Sequence, residues 1–344
     1  MKVIDLKLKN NPYKVYIEAN ILTKAINYIS EIYKNKKIYI ITDDLVSTYY
    51  LNDLVKQLET KYIVHSIIVK NGESSKSFDT YVSVCKQLIE LDIRRNELLI
   101  ALGGGVVGDL TGFVASTIYR GVPYIQIPTS LLAQMDSSIG GKTGIDFYNR
   151  KNIIGSFKQP SLVLIDPNTL KTLNKREFSN GMAELIKHGI IGNANLFNKL
   201  LSKPQIDEEI IYESLSVKAK VVMEDEFDQG NRMILNFGHT FGHIIELEYG
   251  YKHGEAVGIG MLMALNLGID LGITPKELYE DTYKILSLYD LPVKEYNYKD
   301  YLSKTIYDKK NLAGIVNFIL IDKLGSSIIY KIDESKLKEI VKWM

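Results

Sequence analysis

Short aliphatic and β-branched runs alternate with stretches of helical period through the first half of the chain, the pattern of strands joined by crossover helices in a mostly parallel sheet. Residues 3–8 and 13–18 predict a hairpin about Asn10-Asn11-Pro12. Lys37-Ile38-Tyr39-Ile40-Ile41 predicts a strand with Asp43 or Asp44 capping the helix after it, a strand over 62–69 follows, and Ser77 opens a helix to about Leu91. Leu98-Leu99-Ile100-Ala101-Leu102 reads as a buried strand running into Gly103-Gly104-Gly105-Val106-Val107-Gly108-Asp109, and a strand over 123–127 follows the next helix. After a glycine-rich connection the period turns helical from about Asn174, with few strand signals until 315–321. The pattern predicts an α/β protein: an N-terminal Rossmann-like parallel-sheet domain over residues 1–173, then a mostly α-helical domain over 174–344. Two different folds in one chain are expected to meet at a cleft, a favoured place for a ligand.

Charge and composition narrow the partners. Forty-two Lys and Arg against 41 Asp and Glu leave a net charge of +1, so no global field holds nucleic acid or an anionic membrane, and any anion must be bound by local clustering. No run approaches the roughly 18 apolar residues of a membrane helix. The first residues, Met1-Lys2-Val3-Ile4-Asp5-Leu6-Lys7, interleave charges where a signal peptide has an unbroken apolar stretch. A single cysteine, Cys85, offers neither an internal disulfide nor a metal motif and reads as a helix-face residue. The expectation is a cytoplasmic protein without nucleic-acid or membrane partners.

Three constellations carry candidate chemistry. Gly103, Gly105 and Gly108 satisfy G-x-G-x-x-G between a buried strand and a helix, where backbone N–H groups and the helix dipole can receive a pyrophosphate. No acid follows between 110 and 135, and Asp44, at the end of an earlier strand on the same sheet edge, is the alternative ribose acid, although an Asp there also serves as a plain helix cap. Ser138-Ile139-Gly140-Gly141-Lys142-Thr143 imitates a P-loop but has Asp136 where the first glycine belongs, which leaves a flexible basic loop offering Lys142, Lys151 and Asn152. The second half holds four of five histidines. His239 and His243 stand one helical turn apart, a workable zinc spacing if a carboxylate joins, and Glu184 and His253 are candidates for the remaining ligands. His65, alone in a strand, reads as structural. Arg232, Asn236, His239 and His243 recur as one helix face, Lys187 follows Glu184 by three residues, and Lys218 and Lys309-Lys310 add cations. Such a polar inward face suits a ligand with several oxygens.

These residues make the sequence recognisable. It closely resembles the 3-dehydroquinate synthase family of sugar phosphate cyclases over almost its whole length, in Gly72-Glu73-Ser74-Ser75-Lys76-Ser77, in 103–109, in the run from Pro128 to Thr143, in Gly181-Met182-Ala183-Glu184-Leu185-Ile186-Lys187-His188-Gly189, in Leu235 to His243, and in His253-Gly254-Glu255-Ala256-Val257. The resemblance implies NAD held by Asp44, Glu73, Lys76, Gly104, Gly105, Val106, Asp109, Thr129 and Ser130, with Lys151. It implies a divalent metal, zinc or cobalt, on Glu184, His239 and His253, which replaces His243 in the spacing argument. Residues implied to face substrate are Asp136, Lys142, Asn152, Lys187, Lys218, Arg232, Asn236, His243 and Lys310, with Arg120 reaching the partner subunit's site, hence a homodimer. Ser130 stands where many members have threonine, and Asp228 where an acid four residues before the arginine is often Glu.

The family reaction converts 3-deoxy-D-arabino-heptulosonate 7-phosphate to 3-dehydroquinate and phosphate, a step of the shikimate route to aromatic amino acids. It proceeds by transient oxidation with NAD, phosphate elimination, re-reduction, ring opening and intramolecular aldol closure, so NAD returns unchanged. Three other readings remain: a metal-dependent polyol dehydrogenase of the same architecture, which the phosphate-ready cations Lys142 and Lys310 with Asn152 disfavour; a sister cyclase lacking a substrate carboxylate for Arg232; and a catalytically inert nucleotide-binding or scaffold protein.

Overall fold

The aliphatic runs of the first half pair into one seven-stranded sheet in the computed structural model, which describes residues 1–148, 150–305 and 315–333. In chain order the strands are β1 (Lys2–Leu6), β2 (Tyr13–Ile17), β3 (Lys37–Asp43), β4 (Ile63–Val69), β5 (Leu98–Gly103), β6 (Tyr124–Pro128), the hairpin strands β7 (Lys142–Phe147) and β8 (Arg150–Phe157), and β9 (Leu162–Ile165). The large sheet runs β1-β2-β9-β6-β5-β3-β4. β1 and β2 form the predicted antiparallel hairpin, and the other pairs are parallel. Strands covered on both faces read as continuous apolar runs, and β5 and β6 are buried at every position.

The first helices are α1 (Ala25–Ile32), the single turn α2 (Asp44–Val46), α3 (Asn52–Leu58), α4 (Phe78–Glu90) and α5 (Gly105–Thr117). Alternation along β3 divides the core: Ile38 and Ile40 pack with Ile29, Leu54 and Leu58, whereas Tyr39 and Ile41 pack with Val84, Leu88, Leu110 and Val114. Cys85 borders the second cluster, and His65 stacks on Tyr39 from β4. The chain leaves β3 for β4 on one side and returns to β5 on the other, a topological switch that sets the carboxyl ends of β3 and β5 side by side.

One expectation is overturned here. The basic segment read as a flexible loop is the antiparallel hairpin β7–β8, with Lys142 opening β7 and Lys151 and Asn152 on β8. Glycines hid it: a Cβ on Gly155 would fall 2.4 Å from the Thr143 carbonyl oxygen, so this pair approaches more closely than side chains allow.

The contacts divide the chain into two compact units, residues 1–174 with 206–219, and residues 175–205 with those from Lys220 onwards. The second unit is mostly helical: α6 (Lys175–Gly192), α7 (Ala194–Leu200), the end of α8 (Glu208–Glu224), α9 (His239–Tyr249), α10 (His253–Asp270), α11 (Lys276–Leu288), α12 (Lys299–Thr305), and an antiparallel pair β10 (Ile315–Lys323) and β11 (Ser326–Asp333). α10 is buried along nearly its whole length. A Cβ on its Gly260 would lie 1.9 Å from the Gly238 carbonyl oxygen, so the start of α9 and the middle of α10 meet backbone to backbone. Among the described residues no helix is long and apolar enough to cross a membrane.

Candidate active site

At the end of β5 the backbone turns into α5 through Gly104, which caps the helix without a side-chain hydrogen bond and leaves the first N–H groups of α5 for an anion. The fit is close: a Cβ on Gly104 would meet Ser130 Oγ at 3.4 Å, and one on Gly105 would meet Ser137 Oγ at 3.1 Å. Gly108 packs α5 on β6, since its Cβ would lie 2.7 Å from Gln126 Oε1. Val106 is half-buried in the same first turn. Asp109 pairs with buried Lys76 at 2.5 Å. Burial works against the Lys76 ammonium, but the Asp109 carboxylate keeps it protonated and above its ordinary value. The Thr129 amide donates to the Gly103 carbonyl at 3.0 Å, and Ser130 Oγ accepts from the Ala133 amide.

The two-way cap resolves in favour of Asp43, whose Oδ1 accepts from the Leu45 and Val46 amides at 3.0 and 2.9 Å. Asp44 is thereby left exposed at the carboxyl end of β3, beside that of β5, with its Oδ1 accepting from the Asn71 amide. Glu73 is exposed on the turn before Lys76. Lys218, though on α8, clusters with the first unit and reaches Asp136 Oδ1 at 2.6 Å. Lys142 and Lys151 are exposed. Asn152 sits in the left-handed region at φ 54°, its amide donating to Asp146 Oδ1 at 2.8 Å. Exposed Arg120 follows Tyr119 in that region, at φ 62° and 51°, so the turn presenting it is strained. Lys309 and Lys310 lie outside the described residues.

In the second unit Glu184, on α6, is wholly buried, and among the described residues neither carboxylate oxygen has a hydrogen-bond partner. Lys187, one turn on, sets its ammonium against Oε2, and the Nε2 atoms of His239 and His253 each lie 3.7 Å from Oε1. One donor atom from each of Glu184, His239 and His253 lies within 4.8 Å of the others, a set able to close on one ion with bonds of about 2.0–2.2 Å. His239 Nδ1 is 3.1 Å from the Phe237 carbonyl, and His253 Nδ1 is 3.4 Å from Glu246 Oε2, contacts that turn both Nε2 atoms toward Glu184. Burial pushes the Glu184 carboxyl up, but Lys187 and the two imidazoles hold it well below the usual carboxylate range. Burial and the Lys187 charge hold His239 well below the usual imidazole range, whereas Glu184 and Glu246 outweigh burial at His253 and raise it to about 9.

The single helix face expected to carry Arg232, Asn236, His239 and His243 does not exist. Arg232 and Asn236 lie on a 3₁₀ turn (Asn231–Asn236), and Gly238 at φ +77° separates it from α9. Arg232 is buried, its amide donating to Asp225 Oδ2 and its Nη1 to the Glu226 carbonyl at 2.5 Å. His243 stacks edge-on to His239, centroids 5.5 Å apart. Sequence reasoning passed over Glu246, against His253, and the neighbours that tie α10 to α6: Arg176, whose fork meets the Glu255 carboxylate, and Asn180, whose Oδ1 accepts from the Gly254 amide. Its available signal was the spacing 176, 180, 184, one turn apart on one helix.

Two family models match, described as 3-dehydroquinate synthase N-terminal over residues 66–180 and 3-dehydroquinate synthase C-terminal over 181–311. The chain is 43% identical over 342 residues to a 3-dehydroquinate synthase of Clostridium botulinum (strain Alaska E43 / Type E3), covering 96% of this chain and 97% of that protein. It is 44% identical to one of Prochlorococcus marinus (strain MIT 9312), covering 94% of each. Among solved structures, a 2-epi-5-epi-valiolone synthase of Streptomyces hygroscopicus with NAD+ and Zn2+ bound matches at TM-score 0.85 and 25% identity, covering 98% of this chain and 97% of that one. Full-length identity at this level, with the two matched halves in order, places the chain in the 3-dehydroquinate synthase family.

Proposed function

We propose that the protein converts 3-deoxy-D-arabino-heptulosonate 7-phosphate to 3-dehydroquinate and phosphate, as an NAD- and metal-dependent carbon–oxygen lyase of the shikimate pathway. One observation carries the reading: in a chain of this family, a wholly buried carboxylate with no hydrogen-bond partner among the described residues has an ammonium and two imidazoles facing it. Residues 1–173 would serve as the nucleotide domain and 174–344 as the metal and substrate domain, in a cytoplasmic homodimer.

Glu184, His239 and His253 would hold zinc or cobalt; Asp44, Glu73, Lys76, Gly104, Gly105, Val106, Asp109, Thr129, Ser130 and Lys151 would hold NAD. When bound, NAD supplies a reversible hydride acceptor for the C5 hydroxyl and the metal a Lewis acid that lowers that hydroxyl's pKa. Arg232 suits the substrate carboxylate, because its planar fork matches two oxygens. Lys142, Asn152, His243 and Lys310, with Arg120 from a second copy, would hold the phosphate, fixing the group whose own oxygen accepts the C6 proton during elimination. Lys187, Asn236 and the Lys218–Asp136 pair are left to position the hydroxyls.

Incubation with the heptulosonate phosphate, catalytic NAD and zinc, followed by identification of the products, tests this. Equal amounts of 3-dehydroquinate and phosphate are expected. A carbocycle formed only from a sugar phosphate lacking the carboxylate would transfer the reading to a sister cyclase.

A further inference from the structure

The first residues of α10 are held against three successive turns of α6. His253 Nε2 faces Glu184 at 3.7 Å, the Gly254 amide donates to Asn180 Oδ1 at 2.6 Å, and Glu255 takes both arms of the Arg176 fork, Nε to Oε1 at 2.6 Å and Nη2 to Oε2 at 2.8 Å. Residues 184, 180 and 176 thus read 253, 254 and 255 in order, one helical turn per residue. Two further contacts lock the register. Glu255 Oε2 accepts from the Lys252 amide at 2.9 Å, and the Lys252 ammonium contacts Glu177. The backbones themselves touch, since a Cβ on Gly254 would fall 1.9 Å from the Asn180 carbonyl oxygen.

We infer that Arg176, Asn180 and Glu255 are positioning residues that set His253 opposite Glu184 and so fix the affinity of the metal site. The inference rests on reading Glu184, His239 and His253 as the ligands. Glu184 is placed by α6 itself, whereas His253 stands at the first position of α10, where a helix end is free to fray. Beyond the clamp, the His253 ring is oriented by the longer Glu246 contact. An Arg–carboxylate fork and an amide-to-carbonyl bond fix direction as well as distance.

The test uses the full chain stripped of metal, with zinc affinity measured by competition against a chromophoric chelator and the cobalt form followed by its visible spectrum. Arg176→Ala is decisive, because that side chain is 60% exposed and its loss spares the core. Arg176→Ala and Asn180→Ala are expected to weaken zinc about tenfold or more and to change the cobalt spectrum, with Asn180→Asp, which keeps the acceptor, restoring most of the affinity. NAD affinity should stay unchanged. Zinc affinity within about twofold of wild type in Arg176→Ala, with thermal stability alone reduced, overturns the inference. So does a Glu184→Gln chain that binds zinc as wild type does, since the ligand reading then fails. If Arg176→Ala shows the tenfold loss while the zinc-loaded wild-type chain makes no 3-dehydroquinate, the clamp is supported and the cyclase contradicted.

Discussion

A carboxylate removed from water stays ionised only if charge is set against it, and Glu184 has one ammonium and two imidazoles for that purpose. Replacing it with Gln removes the anion of the proposed metal site and leaves Lys187 buried without its counter-charge, a loss of about 3–5 kcal/mol by the usual cost of breaking a buried pair. Glu184→Gln is expected to hold no stoichiometric zinc and to melt well below wild type, measured by metal analysis and calorimetry. Asp225 provides a pH test. Burial opposes ionisation there, but three backbone N–H groups, from Gln229, Gly230 and Arg232, and the Arg232 charge depress its pKa. A depressed carboxyl stabilises the fold above its unfolded pKa of about 4, and that stabilisation disappears as pH falls through the folded value. The thermal midpoint of wild type should therefore fall more steeply below about pH 4 than that of Asp225→Asn. At this scale the candidate residues were largely legible, because His is scarce and Glu184 and His253 sit in recognisable motifs. Spacing alone nonetheless favoured His243 beside His239, since a turn of helix is visible in a sequence and a contact across fourteen residues is not.

Elements were legible where period and burial agree. Strands β3, β5 and β6 are buried on both faces and announce themselves as aliphatic runs, and α4 begins at the Ser77 cap expected of it. The failures have backbone causes. β7 and β8 approach through glycines and carry exposed charges, so their sequence reads as loop, and Gly238 breaks what the i, i+4 arithmetic extends as one helix. That break also makes a prediction. Gly260 leaves no room for a methyl group against the Gly238 carbonyl, so Gly260→Ala should destabilise the second unit by about 3 kcal/mol, read from denaturant unfolding. Unchanged stability would mean that α9 and α10 separate more easily than their contact implies. In the first unit, Lys76→Met strands Asp109 at the start of α5 and is expected to weaken NAD binding by at least tenfold in equilibrium titration, or about 1.4 kcal/mol, a charged hydrogen bond's worth.

For the whole molecule, the division into a parallel-sheet unit and a helical unit follows from the change of period near residue 174, but the return of residues 206–219 to the first unit does not. Its contacts there, Lys2 to Glu209 and Lys218 to Asp136, join residues far apart in the chain, which no local pattern announces. Family membership, the glycine turn at the end of β5 and the Glu184–His239–His253 group together support one claim above the others, that NAD is used and restored within a single turnover. The most direct measurement follows phosphate release from 3-deoxy-D-arabino-heptulosonate 7-phosphate by chelator-treated protein given trace NAD, before and after zinc or cobalt, with the NADH absorbance recorded alongside. Metal-dependent phosphate release far exceeding the NAD present, with no NADH accumulating, is the predicted result; no phosphate release, with NADH accumulating stoichiometrically on a polyol, would contradict it.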